Sequence, residues 1–227
     1  MIDVSYNGKS VRQLGAIVDE ITPMPRASRR TTVVEVPGRS GALHIDDEAY
    51  STVRRTLSLA VRDEIAVQRV NAWCVVSGEL RVSNEPGYYY RAIQSGELDW
   101  ENPAKRIYRV SIAFDLDPFC YLDSGLHVVS FAAPGALVNP TTTVSEPSIT
   151  LAATGDVTLY VGGYIVTLVG LSGGITLDCE RQLAYYNNKP IPFAMRGDFP
   201  RLAPGKNDFS WIGAVTKFEI QPRWRTI

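Results

Sequence analysis

Val157-Thr-Leu-Tyr-Val-Gly-Gly-Tyr-Ile-Val-Thr-Leu168 is the stretch that decides the fold class. It sits in a window, residues 157–177, that contains no charged side chain. That window is long enough to suggest a membrane-spanning helix, which needs about 20 apolar residues. Five glycines (162, 163, 170, 173 and 174) oppose a helix interior. A two-residue turn at Gly162-Gly163 pairs Val161 with Tyr164, Leu159 with Val166, and Val157 with Leu168. Those six then share one face, and Thr158, Tyr160, Ile165 and Thr167 share the other. The register is self-consistent, so the segment is expected to be a β-hairpin with a buried face.

The same period of two recurs on both sides of this hairpin. Ile2, Val4 and Tyr6 alternate with polar residues, and Thr31–Val36 is a β-branched run ending at Pro37-Gly38. Val53, Leu57, Leu59 and Val61 share a face, as do Tyr108, Val110, Ile112 and Phe114. Ile149 with Leu151, then Ile175, Leu177 and Cys179, and finally Val215, Phe218 and Ile220, continue the pattern. One segment differs. Asp63 can cap a helix in which Ala66, Val67, Val70, Trp73, Cys74 and Ser77 form one face, with Gly78 supplying a left-handed residue past its end. A helix at about 64–77 is expected, with Trp73 in the core.

Composition bounds the rest. The 227 residues are 45% apolar and 21% charged, which excludes a disordered chain. Lys plus Arg is 23 and Asp plus Glu is 24, so there is no excess of one sign to draw in a polyanion or an anionic membrane. Cys74, Cys120 and Cys179 are odd in number and widely spaced, which opposes a disulfide framework or a zinc site. The start, MIDVSYNGKS, lacks a basic region followed by an apolar run, so no signal peptide is expected. Charge thins along the chain, with no Lys or Arg between Arg109 and Arg181. With the Ser124-Gly125 break, this divides the chain into expected domains 1–124 and 125–227.

The motifs that could carry chemistry are weak. Gly170-Leu-Ser172-Gly-Gly174 matches G-x-S-x-G, but that elbow needs a helix after it and a later His. A strand-like run follows here and no His follows His127, so a glycine-rich turn is the better reading. His44 lies beside Asp46, Asp47 and Glu48, a pattern more often found in a solvated loop than in a triad or metal site. His127, alone in an apolar stretch, reads as a tolerated strand residue. Asp115 with Asp117, and Asp178 with Glu180, are carboxylate pairs read as solvated strand ends rather than catalytic acids. Arg26, Arg29 and Arg30 form a small basic cluster in a Pro-containing loop, too few for a nucleic-acid face. Gly38-Arg39-Ser40-Gly41 lacks the phosphate-loop frame. Tyr88, Tyr89, Tyr90, Trp100, Trp211 and Trp224 leave open a second functional reading, a carbohydrate-binding module built on surface aromatics.

Several segments in order carry a family resemblance. They are VSYNGKSVRQLG (4–15), VVEVPGRSGAL (33–43), EPGYYYRA (85–92), YRVSIAFDLDPFCY (108–121), LVNPTTTVSEPSITL (137–151), ITLDCE (175–180), GDFPRLAPGKNDFSW (197–211) and PRWR (222–225). Together they resemble the distal tail proteins of long-tailed, siphovirus-type bacteriophages. The resemblance implies a mainly β chain: an N-terminal β-barrel or sandwich-like domain with one α-helix, and a C-terminal galectin-like β-sandwich. It implies a non-enzymatic virion protein of the tail tip, assembled in the host bacterial cytoplasm. N-terminal domains would build a homo-oligomeric ring, typically a hexamer, and C-terminal domains would project outward. The implied partners are further copies of the chain, the tail tube protein, the tail hub or tail-associated protein and a receptor-binding protein. No membrane, specific nucleic acid, cofactor or metal is expected. The Pro37–Glu48 stretch, read as a loop between two strand runs, is the expected subunit contact, centred on Pro37, Gly38, Arg39, Ser40 and Gly41.

Overall fold

The computed structural model describes residues 2–35, 37, 38, 40–74 and 77–227. Among the described residues the chain is mainly β, in antiparallel sheets, with one α-helix. It divides into two compact units, Met1–Cys120 with Ile227, and Tyr121–Thr226.

The first unit contains β1 (Val4–Tyr6), β2 (Lys9–Ser10), β3 (Ala16–Ile21), β4 (Arg29–Glu35), β5 (Ala42–Tyr50) and β6 (Val53–Val61). After α1 (Glu64–Trp73) come β7 (Ser77–Val82), β8 (Tyr88–Ser95), β9 (Trp100–Ala104) and β10 (Ile107–Leu116). The main sheet runs in the order β2-β1-β7-β8-β10-β6-β3, with β9 alongside β10. β6 and β10 pair from Val53↔Leu116 to Val61↔Tyr108, so their apolar positions coincide on one face. That face meets α1 through Ala66, Val70 and Trp73 in one core cluster. Tyr6, Trp73 and Phe114 pack edge to face there, a favoured geometry for aromatic rings. The Trp73 indole N–H donates to the Lys9 carbonyl at 2.9 Å, so its one polar atom is satisfied.

The helix is shorter than its sequence suggests. Asp63 Oδ1 accepts from Ala66 N at 2.7 Å, the expected N-cap. The helix then stops at Trp73, and Ser77 and Gly78 already pair with Ile93 and Ala92 on β8. Gly78 is therefore not a left-handed cap. A Cβ there would lie 2.2 Å from Asn7 Oδ1, so the missing side chain makes room for Asn7, which bonds the Glu79 N–H.

β11 (Cys120–Leu122) stands at the division. The second unit then holds β12 (Val129–Phe131), β13 (Gly135–Asn139), β14 (Ser148–Val161), β15 (Tyr164–Ser172), β16 (Ile175–Asp178), β17 (Leu183–Tyr186), β18 (Lys189–Pro190), β19 (Met195–Arg196), β20 (Gly205–Gln221) and β21 (Arg225–Thr226). The sequence-derived hairpin register is the one observed between β14 and β15. Val157, Leu159, Val161, Val166 and Leu168 are all buried. β14 and β20 are long, and each serves two parts of the sheet. The first half of β14 pairs with β16 and its second half with β15, while β20 follows both. Both ladders shift register between the halves, and Gly213 lies in that bend at φ +127 with room for no side chain against Asp156 O. Ile149 and Leu151 from one half and Val157, Leu159 and Val161 from the other meet in one core, the interior of a β-sandwich.

Candidate assembly surface

Of the expected contact residues, Pro37, Gly38, Ser40 and Gly41 are described, and they join two strands that pair with neither main sheet. β4 and β5 form a two-stranded sheet of their own. Thr31–Val34 are β-branched and favour extended backbone, and they pair Thr32↔Ile45, Val33↔His44 and Val34↔Leu43. The Pro37–Glu48 stretch is thus not a loop throughout. Residues from Ala42 onward are strand, and the connection is confined to the tip. The acidic run 46–48 concealed the alternation of Leu43 and Ile45. Arg29 and Arg30, expected in a loop, belong to β4. Pro37, Gly38, Ser40 and Gly41 sit exposed at the tip. Arg39 lies outside the described residues.

The register sorts the hairpin into two faces. Thr32, Val34, Leu43 and Ile45 share one; Thr31, Val33, His44 and Asp46 share the other. Val34, Leu43 and Ile45 are 38%, 41% and 47% exposed, an apolar stripe that no described residue covers, while Val33 stands alone and exposed on the other face. The base of the hairpin, by contrast, is anchored. Arg29 Nη1 donates to Asp46 Oδ2 at 2.5 Å, and the guanidinium stands 5.6 Å from the Tyr50 ring centroid. Tyr50 meets Phe119 edge to face at 5.9 Å. Glu48 adopts φ +54 where three residues of β5 oppose Arg30, and its N–H bonds Asp46 Oδ1. A two-stranded hairpin in water is marginally stable by itself. This one is tied at its root by an exposed ion pair and the Tyr50–Phe119 contact, and its distal apolar face is left to solvent.

The other candidate groups disperse. Ser172 ends β15 and strand β16 follows it, so no strand-to-helix elbow is formed. His44 is an exposed strand residue rather than a loop residue, and His127 lies in a bend beyond the short 3-10 turn Asp123–Leu126, not in a strand. Asp178 and Glu180 are not solvated strand ends. Asp178 is buried, and Arg223 Nη1 reaches Asp178 Oδ1 at 2.7 Å and Glu180 Oε2 at 3.2 Å. Tyr89, Tyr90 and Trp224 are buried, Trp211 stacks at 4.9 Å on Phe218, and Trp100 donates to Asn71. Of the six only Tyr88 is exposed, at 38%, so they form no shared sugar-stacking platform. Among the described residues no group of three or more His, Cys, Asp or Glu is arranged to hold a metal ion, and no helix is long and apolar enough to cross a membrane.

The fold is one found among the hub proteins of bacteriophage adsorption apparatus. The chain is similar in structure to the Dit protein (gp 19.1) of phage SPP1, a paradigm of the hub adsorption apparatus in phages infecting Gram-positive bacteria. That similarity covers 97% of this chain and 98% of the other, with a TM-score of 0.72 and 14% sequence identity. A chain of the phage p2 baseplate in its activated conformation with Sr aligns over 96% of this chain and 97% of its own length, with a TM-score of 0.48 and 7% identity. No protein-family model and no curated protein sequence matches this chain.

Proposed function

We propose that this chain is a structural protein of a phage tail tip and has no enzymatic role. In this reading identical subunits, typically six, close into a ring that joins the tail tube to the baseplate hub and the host-recognition proteins. The first unit, expected as residues 1–124, builds the ring. The second, expected as 125–227, offers its surface to other baseplate proteins. The observation that carries the reading is the full-length fold likeness to a phage hub protein. The β4–β5 hairpin supports the ring. A closed ring needs one surface on each copy that fits a different surface on the next. The stripe of Val34, Leu43 and Ile45 is apolar and uncovered, and its burial on a neighbour supplies a driving force of about 25 cal/mol per Å². In the same reading the tip, Pro37, Gly38, Arg39, Ser40 and Gly41, reaches the neighbouring subunit, where Arg39 pairs with a carboxylate. The ring is a component of the virion, assembled in the host cytoplasm.

Negative-stain electron microscopy of the purified chain tests the proposal. Closed rings of uniform copy number support it. A field of single 25.0 kDa particles at every concentration overturns it.

A further inference from the structure

The second unit leaves one sheet edge unguarded. β13 pairs with β20 in unbroken register from Gly135↔Phe209 to Asn139↔Gly205, and no strand pairs with its other side. A strand paired on one side turns half of its backbone N–H and C=O groups outward, a template for a further strand. Folded proteins blunt such edges with brevity, charge, proline, a bulge or a covering segment. Among the described residues every other edge is blunted in one of these ways. β2, β18, β19 and β21 are two residues long and β12 is three. β3 carries Glu20 and a bulge at Asp19, and β9 carries Glu101 and Pro103. β4 and β5 are heavily charged. β15 is covered by β19 at Thr167 and Leu168, and its register shifts around Gly170, which stands at φ +65. The stretch of β20 between its pairings with β13 and β12 bends at Gly213 and carries Lys217. β13 has five residues, no charge, no proline and no bulge, within a run, 128–145, that holds no charged side chain.

This edge is also held in place. Pro134 and Pro140 bracket it. The buried Asn139 side chain donates to the Thr143 and Leu202 carbonyls at 3.0 Å and 3.2 Å and accepts from the Thr141 N–H at 2.9 Å. A template already in its bound shape spares the cost of ordering it.

The side chains narrow the occupant. Ala136 and Val138 share the outward face, and Val138 is 62% exposed. Beside them on β20, Asp208 and Lys206 pair with each other at 2.8 Å, so the face offers no net charge to an incoming strand. Ala136 is small and leaves room next to Val138 for larger neighbours. β-branched and aromatic cross-strand pairs are the stabilising ones. A second copy of β13 would set only alanine against valine, whereas a strand with bulkier side chains fills the space.

We infer that the free edge of β13 accepts an extended, uncharged segment of another protein, rich in β-branched or aromatic residues, as a further strand of the sheet. The inference rests on the reading of the second unit as the part that meets other baseplate proteins, and gives that contact a place and a mode.

Hydrogen–deuterium exchange of the full chain, read by mass spectrometry with and without the capped pentapeptide Thr-Val-Thr-Tyr-Thr, tests it. The peptide is expected to slow exchange in residues 135–139 about tenfold, saturably, the protection that backbone hydrogen bonds of ordinary strength confer. The same peptide methylated at every backbone nitrogen should give no protection. Val138→Lys, a charge on an exposed edge position, should abolish the effect and leave the melting temperature unchanged. No protection by the peptide overturns the inference. So does equal protection by its methylated form, or protection without peptide that grows with protein concentration, which makes a second copy the occupant. Electron microscopy of the same samples keeps the two readings apart, since rings that form without peptide protection refute the strand site alone.

Discussion

Glu85 grips the Arg55 guanidinium with both carboxylate oxygens, at 2.6 Å and 3.0 Å, in the interior of the first unit. Arg55 is 1% exposed and lies on the same face of β6 as Val53, Leu57 and Leu59. Its Nε donates to the Thr22 carbonyl, and its guanidinium stands 5.3 Å from the Tyr90 ring centroid. The Tyr90 hydroxyl completes the set by donating to Glu85 at 2.6 Å. Every polar group in the cluster has a partner, so a charge is tolerated in the core.

Removing Glu85 leaves the Arg55 charge buried without compensation. Glu85→Ala should therefore cost about 3–5 kcal/mol, the usual penalty for breaking a buried pair. Arg55→Met, which keeps length and removes charge, should leave Glu85 partly solvated and cost less. Denaturant melts of the two variants check the order.

The same carboxylate sets an acid limit. Burial pushes Glu85 up, but hydrogen bonds from Arg55 and Tyr90 and the Arg55 charge outweigh it and hold it below its ordinary value of 4.5. Its folded pKa is thus lower than its unfolded one. The stabilisation is present above pH 4.5 and is lost as pH falls through the folded value. Asp178 behaves alike. Burial raises it, and hydrogen bonds and charge from Arg223, with help from Arg181, bring it below 3.8. Melting temperature should hold from neutral pH to about 5 and fall in more acid solution. Glu85→Gln and Asp178→Asn should each flatten that fall while lowering the plateau.

Leu159 faces Val166 across the β14–β15 hairpin and has no exposed surface. Leu159→Asp should unfold the second unit, since an unpaired carboxylate cannot be buried there. Leu159→Ala should keep the fold and cost about 2–5 kcal/mol. Circular dichroism melts distinguish the two, and an unchanged melt of the Asp variant contradicts the buried face.

On the proposed Arg39–carboxylate contact, Arg39→Ala should weaken assembly only slightly, by at most ~1 kcal/mol per contact. The loss should shrink further as salt rises, because exposed ion pairs are screened. Sedimentation at low and high ionic strength measures both.

The sequence was most informative where alternation was clean. At Val157–Leu168 apolar residues keep strict phase around a two-glycine turn, and register, face and turn could all be read. It was least informative where a charged residue occupies an inward position. Arg55 continues the Val53–Val61 face, but nothing local announces Glu85 thirty residues later as its partner. Likewise the Asp46-Asp47-Glu48 run disguised β5 as a loop, although Leu43 and Ile45 held the period that matches Thr32 and Val34. Gly78 has the sequence signal of a helix cap, whereas its role is set by Asn7, seventy-one positions away in sequence but adjacent in space. The tip residues could be placed from the Pro-Gly signal; the apolar stripe behind them could be recognised only once the two strands were paired.

Light scattering of the parent chain beside Leu43→Asp tests the self-assembly claim most directly. Leu43 is exposed within a protomer, so the substitution should leave the melting temperature nearly unchanged, within about 0.5 kcal/mol of stability. The parent mass should be an integral multiple of 25.0 kDa, six-fold for the proposed hexamer, and the variant mass 25.0 kDa. Equal masses for the two proteins, whether both single or both assembled, would contradict it.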